Sequence, residues 1–90
     1  MNTKSFTVTF FDNQGKEITK KRRLNWREQQ QINLNYKMFK FVYLDKQGNV
    51  LDVFARPCRS KQHAFDEACF ILKVSLMKGL HSIKTEELPI

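Results

Sequence analysis

The chain has 90 residues, 41% of them hydrophobic and 12% aromatic with eight Phe, which suits one compact core and no second. That aromatic content excludes a disordered chain. A net charge of +7 and a pI near 9.7 exclude a strongly basic partner and fit nucleic acid, an anionic membrane surface or an acidic protein face. No apolar run approaches the ~20 residues that span a bilayer. The opening MNTKSFTVTF has Lys4 as its one basic residue and no small-residue cleavage site, so no signal peptide is expected. Cys58 and Cys69 are too few for a secreted disulfide framework. The expectation is a cytoplasmic protein with reduced thiols and no membrane partner.

In chain order, the first element is a β-hairpin over 5–24. Phe6, Val8 and Phe10 alternate with Thr7, Thr9 and Phe11, and Ile18 anchors the returning strand. Residues 12–15 between them read DNQG. Asp opens such a turn by bonding its own backbone, and Gly closes it with a positive φ. Thirty-three residues later, 45–48 read DKQG, which predicts a second hairpin over 37–56. Its first strand carries Phe39, Phe41 and Tyr43 on one face and Met38, Val42 and Leu44 on the other, with Lys40 between them. Leu51, Val53 and Ala55 alternate on its second strand, which Pro57 is expected to end.

The connection over 25–36 has two readings. Asn25-Trp-Arg-Glu28 suits an N-cap with an acid at the third helical position, hence a short helix over 26–31. Residues 32–36, INLNY, alternate and suit an extension of the following strand. A helix is predicted over 60–79, from Ser60 as N-cap to Gly79 as C-cap, with Lys73 and Lys78 suited to its dipole. Ala64, Phe65, Ala68, Cys69, Ile71, Leu72, Ser75 and Leu76 share the face expected to cover a sheet. Phe70, Val74 and Met77 fall opposite, either covered by neighbouring chain or forming a protein interface. The tail over 80–90 has no period and is expected to dock weakly or fray. The sum is a single α+β domain over 1–90. It is a four-stranded antiparallel sheet from two β-hairpins, packed by one C-terminal helix, with a short helix between the hairpins as an option.

No catalytic constellation stands out: there is no G-x-S-x-G, no Gly-rich phosphate loop and no H-E-x-x-H. Ser60 and His63 read as a helix cap and a first-turn residue, not a nucleophile and base. Cys58, His63, Cys69 and His81 lack the tight pair spacing of a structural zinc site. The reading is not an enzyme, with no cofactor and no metal.

Charge, by contrast, is clustered. Residues 20–27 read KKRRLNWR, where Lys20, Lys21, Arg22, Arg23 and Arg27 carry five positive charges around Trp26. Arg56, Arg59 and Lys61 add three more within six residues. Both clusters end the second strand of a hairpin, away from its turn, so equivalent packing puts them on related rims. Arginine forks to phosphate and lysine adds point charge, while Trp26, Tyr36 or Phe54 offers an unpaired base a stacking face. The bland reading is that these charges are solvated and protect strand edges from aggregation. Alternation also sends neighbours among residues 20–23 to opposite faces.

In element order alone, a small antiparallel sheet followed by one packing helix is similar in outline to plant-type and integrase-arm sheet DNA-binding domains. No residue carries over from that likeness. The function expected first is a nucleic-acid-binding module for DNA or RNA. The alternative is a small phage-type inhibitor or adaptor docking on a host ribonucleoprotein, for example a CRISPR effector complex, touching guide RNA and packing Phe70, Val74 and Met77 on a subunit. A homodimer through the helix is the third reading.

Overall fold

The computed structural model describes residues 4–89. Its elements run β1 (Ser5–Phe11), β2 (Glu17–Arg23), α1 (Trp26–Asn33), β3 (Lys37–Leu44), β4 (Val50–Cys58), α2 (Lys61–Val74) and β5 (Ser82–Leu88). The fold is α+β, but the strands form two antiparallel sheets, not the single four-stranded sheet expected. β1 and β2 make a two-stranded ribbon, and the second sheet has the order β4-β3-β5.

The cause lies in β3, whose two faces are both apolar. Phe39, Phe41 and Tyr43 pack with Cys58, Ala64 and Ala68 under α2. Met38 packs the other way, in a core with Phe6, Val8, Leu24 and Leu88. A strand buried on both faces belongs to a middle layer. The layers are therefore ribbon, three-stranded sheet and α2.

Both hairpins form as the DxQG pairs dictate. The Asp12 carboxylate accepts the N–H groups of Gln14 and Lys16, and Asp45 accepts those of Gln47 and Asn49. The Asn49 N–H, ahead of the other turn donors, holds the Asp45 carboxyl below its ordinary range. Gly15 and Gly48 sit at φ +79 and +85. A Cβ at Gly48 would meet nothing within 4 Å, so the cost of Gly48→Ala is backbone strain alone. We expect about 1 kcal/mol, read as a lower urea midpoint at unchanged m-value.

The tail does not fray. β5 pairs antiparallel with β3 from Met38↔Leu88 to Leu44↔Ser82. β4 runs through Pro57 to Cys58, because Pro57 can occupy an edge strand with its missing N–H turned outward. The helix expected over 60–79 stops at Val74. Ser60 does cap it, but Ser75 leaves the helix at ψ 139 and its hydroxyl accepts the Met77 N–H. Gly79, at φ +84, serves the turn into β5 instead. Met77 thus folds back, half-buried, against the α2-side core, whereas Phe70 and Val74 are exposed. Phe65 and Leu72, expected to cover the sheet, are exposed, whereas Ala64 and Ala68 are buried.

Candidate nucleic-acid interface

Register decides where each charge of β2 points. Directly paired residues share a face. Phe6 pairs with Arg22 and Val8 with Lys20, so these two cations lie on the ribbon's core-facing side. Thr7 pairs with Lys21 and Ser5 with Arg23, which puts Lys21 and Arg23 on the outer side.

Arg22 is consumed by the fold. Its guanidinium lies 4.7 Å from the Phe6 ring centroid and forks onto Glu28 at 2.9 and 2.8 Å. Glu28 is the third residue of α1, and its carboxylate also accepts the Asn25 N–H at 3.0 Å. The Asn25 side chain accepts the Glu28 N–H in return, closing a capping box. Burial raises the Glu28 pKa, but the Arg22 fork and the Asn25 N–H outweigh it and hold the carboxyl below its ordinary 4.5.

The short helix is real and longer than the predicted 26–31. It presents Trp26, 73% exposed, at its first position, with Arg27 beside it. Among the described residues, Lys21, Arg23, Arg27, Arg59 and Lys61 make no ion pair. Lys20 stands 5.8 Å from the Phe10 ring centroid. Arg56 is partly engaged, 3.6 Å from Glu67 of α2 and 5.8 Å from the Phe41 ring centroid.

The two clusters do share an end of the molecule. The Asn13 side chain and the Val50 backbone exchange hydrogen bonds, so both hairpin turns point the same way. The opposite ends, carrying Arg23 and Cys58, therefore lie together. There the Tyr36 and His63 rings meet edge-on at 6.5 Å, joining the start of β3 to the first turn of α2. The clusters do not share a face. Lys21 and Arg23 look out from the ribbon, while Arg56 pairs with Phe39 on the α2 side. A sheet-to-sheet spacing of ~10 Å separates those layers. One ligand would have to wrap the rim to reach both.

Of the proposed stacking faces, Tyr36 is half-buried against His63, and Phe54 is half-exposed but edge-on to Tyr43 at 5.2 Å. Trp26 alone is free. Sequence reasoning missed Lys40, which donates to the Thr9 carbonyl at 2.7 Å and pairs with Glu86 at 2.9 Å, tying the two sheets together. Its place among apolar neighbours in β3 was the available signal. Among the described residues, no three His, Cys, Asp or Glu side chains gather to hold a metal, and no helix is long and apolar enough to cross a membrane. Comparisons with protein families, curated proteins and solved structures find no match.

Proposed function

We propose that the chain is a non-enzymatic nucleic-acid-binding module that grips an unpaired strand at the α1 rim. The observation carrying this reading is the exposure of Trp26 between Arg23 and Arg27, two cations with no acidic partner among the described residues. An exposed tryptophan costs solubility unless something covers it, and a base can stack on its face. Lys21, Arg23 and Arg27 hold phosphates, and Arg59 and Lys61 extend the grip around the rim. Arg22 positions α1 and touches no ligand; Arg56 contributes less than its neighbours because Glu67 shares it. Trp26→Ala is expected to weaken single-strand binding about tenfold or more at unchanged stability, from a stacking worth of about 1–3 kcal/mol per base. Equal affinity of the variant and the parent chain would refute the stacking role.

The inhibitor or adaptor reading rests on α2. Phe70 and Val74 are 60% and 55% exposed, and Phe54 of β4 is half-exposed. In that reading the basic rim touches the RNA of a host ribonucleoprotein while this patch packs on a subunit. Affinity capture with and without nuclease separates the two. A stoichiometric protein complex that survives nuclease favours the adaptor, and recovery of nucleic acid alone favours the module.

A further inference from the structure

Among the described residues, four strands keep an open edge: β1, β2, β4 and β5. An open edge is a template for another strand unless something guards it. On β1, the Lys40 ammonium caps the Thr9 carbonyl. β2 carries Lys20, Lys21, Arg22 and Arg23, which repel a second copy of the same strand. On β4, Pro57 has no N–H to offer and the Asp52 carboxylate already occupies the Val53 N–H.

The edge of β5 has none of these guards. Pro57 lies opposite Met38, so the main-chain groups of Met38, and of Lys40 and Val42 in the same phase, point away from β4 and bond to β5. Ile83, Thr85 and Glu87 of β5 consequently turn their N–H and C=O groups outward. There is no proline within Ser82–Leu88. The flank of α2 above this edge is apolar and uncovered. Phe65, 57% exposed, shares a cleft with Thr85, Glu86 and Glu87, and Cys69 and Leu72 continue its stripe at i+4 and i+7.

We propose that two copies of the chain pair through β5, antiparallel, with Thr85 on the two-fold axis. Charge selects this register. It sets Lys84 of each copy opposite Glu86 of the other, twice over, and Ile83 opposite Glu87. Its phase also lets the outward groups of Thr85 meet their own copies. The helix packs on Phe39, Phe41 and Tyr43 of β3 and on Ile83 of β5, so the stripe of Phe65, Cys69 and Leu72 flanks the paired edge in each copy. The result is a continuous six-stranded sheet with a basic rim at each end.

Sedimentation equilibrium of the full chain at high micromolar concentration tests this, with circular dichroism to check folding. A dimer is expected. Thr85→Pro removes the outward N–H, besides fixing the local φ, and should give a monomer. Lys84→Glu sets like charges across the axis and should weaken the dimer about tenfold, and the neutral Lys84→Gln should weaken it less, with Glu86 left in place because it also pairs with Lys40 of its own copy. If Thr85→Pro fails to fold, the Lys84 variants decide alone. A short bismaleimide should also join Cys69 to Cys69, more slowly in Lys84→Glu than in the parent chain, Cys58 being buried. A monomer throughout overturns the proposal, as does a dimer indifferent to Lys84→Glu.

Discussion

Glu28→Ala is expected to destabilise the chain by about 2–3 kcal/mol, read as a fall in the urea midpoint. Three losses combine. The Asn25 N–H loses its acceptor, and half a capping box is worth about 1 kcal/mol. The Arg22 guanidinium loses both bonds and stays pinned over Phe6. The first turn of α1 loses a negative charge that its dipole favours. The Glu28 side chain is 12% exposed and that of Arg22 44%, so the ion pair lies between the surface and buried cases and contributes about 1 kcal/mol itself. Glu28→Gln keeps an acceptor for Asn25 and should lose only about half as much as Glu28→Ala. A Glu28→Ala change below about 0.5 kcal/mol would sink this account of α1.

Acid should act through the same residue. The folded pKa of Glu28 lies below its unfolded value. Its contribution is therefore complete above the unfolded value near 4.5 and is lost as pH falls through the lowered folded value. Stability of the parent chain should drop in that window by an increment that Glu28→Gln does not show.

The second large effect concerns binding. Replacing Lys21, Arg23 and Arg27 together by Ala is expected to weaken single-strand binding about a hundredfold at low salt, at about 1 kcal/mol per lost phosphate contact. With five phosphates neutralised, the log–log salt slope of the parent chain should be roughly −3.5, and the triple variant should retain roughly −1.4. Arg22→Ala is the informative contrast. It should lower stability through Glu28 and leave the salt slope alone, although it lies in the same basic run.

That contrast marks how far the sequence was legible. The DxQG repeats named both hairpins, because turn chemistry is local. Asn25 and Glu28 named the start of α1 for the same reason. The layering was half visible: Met38, Val42 and Leu44 opposite Phe39, Phe41 and Tyr43 already made β3 apolar on both faces. What was missing was β5. Its buried Leu88 and its core-packed Ile83 fall on opposite faces, so no period of two appears, and only pairing with β3 makes it a strand. The apolar residues of the second helix misled for a related reason. With the sheet face already filled by Phe39, Phe41 and Tyr43, α2 settles on its small residues Ala64 and Ala68 and leaves Phe65 outside. For the basic run, spacing showed the charge and alternation showed its division. That Arg22 answers to Glu28 depends on where α1 turns back, which composition does not encode.

Trp26 is the one tryptophan of the chain, so its fluorescence reports the proposed contact without a label. The decisive measurement is a titration with an unlabelled single-stranded oligonucleotide, followed by Trp26 emission at several salt concentrations. The expected result is saturable quenching whose affinity falls with a log–log slope of roughly −3.5. Emission that does not change at saturating oligonucleotide, or an affinity that ignores salt, would contradict it.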